Sequence, residues 1–197
     1  MQMSALHIVA VVIIVVFYAA YLAKQATLRK RGISGDRLGK GNKPRKTLIG
    51  EILLLVVTFT LPVVQIGSVW LSIKNGGQSV LPEWMRWCGA VIAVVGVVFF
   101  ISAMITMRDN WRAGVDSSQQ TELVTLGIYR ISRNPAFVGF DLFYIGMTMM
   151  FPNIVLGILT IFAITSFHMQ ILAEEKYMTA TFGSQYAAYS KKVRRYI

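Results

Sequence analysis

The chain has 197 residues, 55% of them hydrophobic, with a mean hydropathy of +0.56, and its apolar excess gathers into runs near the roughly 20 residues a helix needs to cross about 30 Å of hydrocarbon, which excludes a sizeable soluble domain. A formal net charge of +11 would suggest nucleic acid in a soluble protein, but no basic stretch is interleaved with aromatics as a base-stacking surface requires, and loops that hold membrane topology explain the charge better. One cysteine, Cys88, excludes an intramolecular disulfide.

In chain order, residues 5–23 form the first apolar run. It lacks the positive start of a secretory signal and reads as a retained transmembrane helix. Residues 24–46 follow with nine Lys/Arg and interleaved Gly and Pro, suited to anionic headgroups and to setting topology. The second run, 48–73, carries Pro62 near its middle, where a kink is expected. Turn signals at Asn75, Gly76, Gly77 and Pro82 fill the loop at 74–86.

The third run is 87–107, followed by a polar stretch to Arg133 that reads as irregular. Residues 135–150 make a short fourth run, and Phe151, Pro152 and Asn153 turn the chain into a fifth at 154–172. These last two runs should form a helical hairpin. Residues 173–197 are too charged to span and read as a surface helix with a basic tail.

The expected fold is therefore all-α: a polytopic bundle of five transmembrane helices, a C-terminal surface helix, and a cofactor-binding loop between spans three and four. The whole chain, 1–197, is one membrane domain, with three spans in 1–107 and a core in 108–197. With five spans, 18 of the 20 Lys and Arg fall on one side. The positive-inside rule then puts the N-terminus outside, and the active site and C-terminus in the cytoplasm.

Several polar residues bear on chemistry. Asn134 followed by Pro135 is a helix-start signal, since asparagine caps well and proline suits the first helical position. The free N–H groups and positive dipole end there, with Arg133 just outside, suit a carboxylate or phosphate. The same residues would also serve a plain helix start at the interface, with the arginine snorkelling to headgroups. Gln170 and Glu174, four apart, share a helix face, and Glu174 and Glu175 close the fifth run. One of the two acids should point inward and the other toward water, unless both are simply a solvated boundary. Asp141 and His168 are ionisable groups at membrane depth, where function is the default hypothesis, although a partner on a neighbouring helix would explain either. Two histidines and one cysteine cannot assemble a zinc site of the usual kind, and no Walker loop, GxGxxG, GxSxG or HExxH is present.

The segment Leu123-Val124-Thr125-x-Gly127-x-Tyr129 through Arg133-Asn134-Pro135-x-Phe137-x-Gly139, followed by Glu174-Glu175, Phe182-Gly183, Tyr186, Tyr189 and Val193-Arg194-Arg195, resembles the isoprenylcysteine carboxyl methyltransferases and related phospholipid methyltransferases. The resemblance covers about residues 110–197. It implies an S-adenosylmethionine-dependent methyltransferase, releasing S-adenosylhomocysteine, with a lipophilic or lipid-linked acceptor entering laterally from the bilayer. Carried over by position, Thr121, Glu122, Leu123, Val124, Tyr129, Asn134, Pro135, Ala136, Phe137 and Glu174 would surround the cofactor. Arg133 would position an anionic acceptor, and Gln170 would face it.

Asn134 replaces the family's histidine, Phe137 its tyrosine, and Gln170 an arginine that faces the substrate carboxylate in the prenylcysteine enzymes. Gln170 cannot neutralise a carboxylate, so the prenylcysteine acceptor does not follow from the motif alone. A carboxylate acceptor is already ionised, whereas an amine must be neutral; no dedicated acid or base is expected. The competing readings are an NADPH enzyme like the sterol reductases and a non-enzymatic scaffold or transporter.

Overall fold

Five α-helices follow the five apolar runs: α1 (Ala5–Lys30), α2 (Arg45–Lys74), α3 (Glu83–Met107), α4 (Pro135–Met150) and α5 (Ile154–Lys192). Short 3-10 turns occupy Arg108–Asn110 and Gly127–Arg130. This computed structural model describes residues 3–33, 38, 45–111 and 122–197, and among them there is no strand. Four of the helices are long and apolar enough to cross a bilayer. The fifth, α4, has 16 residues; at 1.5 Å per residue it covers about 24 Å, short of the roughly 30 Å hydrocarbon core.

Apolar residues face outward as well as inward, the signature of a bundle solvated by lipid. Phe59 is 74% exposed and Val63 69%, and Val12 and Val15 on α1 and Ile158 and Ile161 on α5 are exposed too. Inside, the fully buried Phe17 of α1 stacks at 4.0 Å on Phe143 of α4 and at 4.6 Å on Phe100 of α3.

Helices α3 and α4 run antiparallel, and small residues let their backbones touch. A Cβ added at Gly96 would lie 2.5 Å from the Phe143 amide nitrogen. One at Gly139 would lie 2.7 Å from that of Phe100, and one at Gly146 2.5 Å from that of Ala93. Without a hydrophobic driving force inside lipid, such close approach is what gives helices dispersion contact.

Cations seal two helix ends, where the carbonyl dipoles favour positive charge. Lys24 Nζ donates to the carbonyls of Met104 (3.0 Å) and Arg108 (2.7 Å) at the end of α3. Arg86 Nε donates to the Met150 carbonyl at 2.8 Å, and its Nη1 to Gly77 at 3.0 Å. At the start of α5, Asn153 accepts from the Leu156 amide at 2.9 Å and donates to Ser68 of α2 at 2.8 Å.

Two boundaries differ from expectation. Helix α1 runs on through Lys24 to Lys30, because Lys and Arg are good helix formers and Lys24 has carbonyls to cap. Helix α2 carries Pro62 in its interior, as expected. Helix α5 shows no break near residue 172: it extends to Lys192 with one non-helical residue, Gly183 (φ +51°, ψ −121°), a backbone conformation that suits glycine. The expected surface helix is thus the continuation of the last span, bent at Gly183.

Candidate functional site

The turn at Gly127–Arg130, the start of α4, the second half of α5 and the tail after α5 meet at one end of the bundle. Tyr129 is buried, and its carbonyl accepts a 2.6 Å hydrogen bond from the Tyr189 hydroxyl. Burial, then the charge of Glu174 and the neighbouring Tyr189, push the Tyr129 phenol upward, so it stays protonated.

Asn134 occupies the N-cap position of α4, as its sequence predicts, yet its side chain makes no capping bond. Its Nδ2 donates instead to the Arg195 carbonyl at 3.1 Å, which also accepts from Ser132 Oγ at 3.4 Å. The Arg133 amide donates to the Arg194 carbonyl at 3.0 Å. Residues 132–134 and the tail are therefore stitched side by side. The first-turn N–H groups of α4 have no intrahelical acceptor and receive no side-chain cap from Asn134.

Arg133 does not reach outward. Its Nη2 pairs with Glu175 at 2.7 Å and its Nη1 donates to the Ser190 carbonyl at 3.3 Å; the guanidinium lies 5.9 Å from the centre of the Tyr186 ring. Arg195 takes the other Glu175 oxygen, at 2.7 Å from Nη2 and 3.1 Å from Nε. Glu175 holds both guanidinium groups, and its hydrogen bond is the first reason the Arg195 guanidinium is pushed up.

Glu174 faces the other flank of α5, where the buried Gln170 donates to it at 3.0 Å. The shared face expected of Gln170 and Glu174 is present. The split of one acid inward and one toward water is not, because both carboxylates are engaged and half-buried.

Of the other expected cofactor residues, Pro135 is buried and Ala136 and Phe137 half-buried, with the Phe137 ring 5.4 Å from Phe167 of α5. Leu123 and Val124 are half-buried beneath the exposed Glu122, whose amide bonds Asn110 Oδ1 at 3.2 Å. Thr121 lies outside the described residues. His168 does find a partner, since its Nδ1 is hydrogen-bonded to the Tyr196 hydroxyl. Asp141 Oδ1 is buried with no hydrogen-bond partner among the described residues.

Ser132 and Ser190 were not legible as site residues, and Arg195 was visible only as part of the family pattern. A basic tail looks like solvated charge until the bend at Gly183 returns it to α4. The Tyr186 and Tyr189 spacing was the visible signal, and both tyrosines are buried here.

The family model for phospholipid methyltransferases matches residues 84–185, more than half of the chain, and the chain belongs to that family. It is similar to the protein-S-isoprenylcysteine O-methyltransferase of Schizosaccharomyces pombe, with 36% identity over 95 residues, covering 47% of this chain and 40% of that protein. Protein-S-isoprenylcysteine O-methyltransferase A of Arabidopsis thaliana is 28% identical over 113 residues, covering 56% and 57%. The Mus musculus protein-S-isoprenylcysteine O-methyltransferase is 30% identical over 113 residues, covering 56% and 40%. The chain thus aligns with 40–57% of the length of these relatives.

Proposed function

We propose that this protein is an integral-membrane methyltransferase that uses S-adenosylmethionine and a lipophilic acceptor, with its active end on the cytoplasmic side. The observation that supports it most is the 2.7 Å pairing of Arg133 with Glu175, which joins the two sequence blocks of the family pattern into one corner.

The residues of that corner fit the cofactor's chemistry. The open N-terminus of α4, at Asn134, Pro135, Ala136 and Phe137, suits a carboxylate. Glu174, oriented by Gln170, suits an ammonium or ribose hydroxyls, which an ionised carboxylate accepts from. Leu123, Val124 and Tyr129 supply apolar and aromatic wall, and Glu122 flanks it. Bound there, S-adenosylmethionine would supply an activated methyl on a sulfonium. The protein's part is to align the acceptor and exclude water. Arg133 contributes as a positioning residue through Glu175, and Gln170 does so through Glu174. A first acceptor to test is the isoprenylcysteine for which the relatives are named.

In this reading α4 and α5 form a hairpin that completes five spans, with the N-terminus outside. The apolar α4 can be shorter than the bilayer because its polar start lies beneath the tail and its sides pack on α3 and α5.

Equilibrium binding to the protein in lipid nanodiscs tests the assignment. Saturable binding of S-adenosylmethionine is expected, weakened about 10-fold or more by Glu174→Ala, the loss of one charge-assisted hydrogen bond. No binding, or a preference for NADPH, would overturn it.

A further inference from the structure

Lys24 lies on α1, outside the residues 84–185 that the family model matches, and in sequence it is simply the first basic residue after the first apolar run. In the fold it is half-buried, and its Nζ reaches across to the end of α3. There it donates to the carbonyls of Met104 at 3.0 Å and Arg108 at 2.7 Å. The second carbonyl belongs to an unusual residue. Arg108 has φ +47° and ψ −122°, the only positive φ outside glycine among the described residues. Gly183 takes nearly the same conformation, φ +51° and ψ −121°, with no Cβ to clash. Arg108 does carry a Cβ, so this turn is strained and persists because its surroundings hold it.

Two contacts lead from the end of α3 to the cofactor corner. Asn110, two residues after Arg108, accepts from the Glu122 amide through Oδ1 at 3.2 Å, immediately before Leu123 and Val124. On the last turn of α3, a Cβ added at Gly127 would meet Thr106 Oγ1 at 2.9 Å. The Gly127–Arg130 turn, which carries Tyr129, therefore rests directly on this helix end. Arg31 of α1 adds a second grip through Asp109 at 2.6 Å, but both side chains are more than half exposed, and an exposed pair holds weakly. A half-buried ammonium with two carbonyl acceptors is the stronger clamp.

We propose that Lys24 is a positioning residue for the cofactor corner, a role that rests on the methyltransferase reading. By holding the strained Arg108 turn it fixes the end of α3, on which Leu123, Val124 and Tyr129 of the cofactor wall are seated. Lys24 acts through Arg108, Asn110 and Thr106 and does not itself touch the cofactor.

The test uses the full chain in nanodiscs. Lys24→Met keeps an apolar stem and removes the donors; it should weaken S-adenosylmethionine binding about 10-fold. Lys24→Arg, which keeps donors, should restore most of the loss. Arg108→Gly relieves the strain that Lys24 opposes, so Lys24→Met should cost clearly less in an Arg108→Gly background. Asn110→Ala removes one exposed hydrogen bond, should weaken binding about 3-fold, and decides the matter if Lys24→Met does not fold. Amide hydrogen exchange of the cofactor-free protein gives a readout independent of binding. Residues 122–130 should exchange faster in Lys24→Met than in wild type, while α4 and α5 stay protected. Unchanged exchange there, unchanged cofactor affinity in either variant, or a loss that Arg108→Gly does not lessen overturns the positioning role and leaves Lys24 an ordinary helix cap. Failure of wild type to bind S-adenosylmethionine overturns the methyltransferase reading instead, and the exchange result still decides whether Lys24 holds the stretch.

Discussion

Glu175 holds two guanidinium groups at once, one from the residue before α4 and one from the tail, with its side chain only 15% exposed. Removing the shared partner should therefore hurt more than removing either cation. Glu175→Gln leaves Arg133 and Arg195 facing each other in a half-buried corner; a loss of about 1–3 kcal/mol is expected, below the fully buried limit. Arg195→Ala keeps the Arg133–Glu175 pair and should cost about half as much or less. Thermal denaturation in nanodiscs of the two variants checks the order, and an equal or reversed order would remove Glu175 from its central role. Local sequence flagged the Glu174 and Glu175 pair but misjudged its environment. Neighbouring residues on a helix point about 100° apart, so the two acids had to face different flanks. What stood on the second flank depended on a tail that returns 20 residues later.

At the scale of elements, the contact of α3 with α4 is the most exacting in the molecule. Gly96 and Gly139 each sit under 3 Å, by their missing Cβ, from a backbone nitrogen of the facing helix. Backbone cannot swing aside as a flexible side chain can, so Gly96→Ala forces the helices apart. A loss of about 1–3 kcal/mol is expected. Gly157 on α5 has nothing within 4 Å of its missing Cβ, and Gly157→Ala should be neutral or stabilising by up to about 1 kcal/mol. Unfolding the two variants in mixed detergent reports the contrast; equal stability would mean that α3 and α4 are not held backbone to backbone. Because α4 begins with Asn134 and Pro135, which the proposed function places at the cofactor, Gly96→Ala should also weaken S-adenosylmethionine binding.

Across the whole molecule, the basic segments and the site share one end. Lys24 and Arg31 of α1 meet Arg108 and Asp109 beyond α3, the Arg31–Asp109 pair at 2.6 Å. His7, Ser72, Arg86, Phe151 and Asn153 occupy the opposite end, with His7 hydrogen-bonded to Ser72 and stacked on Phe151. The proposed orientation puts this second end outside the cell. Cys88, the single cysteine, is exposed near the start of α3 and so reports the sidedness without mutagenesis. A membrane-impermeant maleimide should label it on intact cells, and labelling only after permeabilisation would invert the topology.

Much of this architecture was legible beforehand. Apolar runs of the right length, Pro135 after Asn134, and the Phe151–Asn153 turn place all five helices, because helix formation in lipid is dictated by local hydrophobicity and by the need to satisfy backbone hydrogen bonds within the segment. Several of the motif residues likewise meet at one corner, through the Arg133–Glu175 pair and the Tyr189–Tyr129 hydrogen bond. Partner choice was not local. That Asn134 would reach the Arg195 carbonyl instead of capping α4, and that Arg195 would share Glu175 with Arg133, follow from one bend at Gly183. That bend brings distant residues to within hydrogen-bond range, and hydrogen bonds and ion pairs depend on distances that no linear spacing encodes.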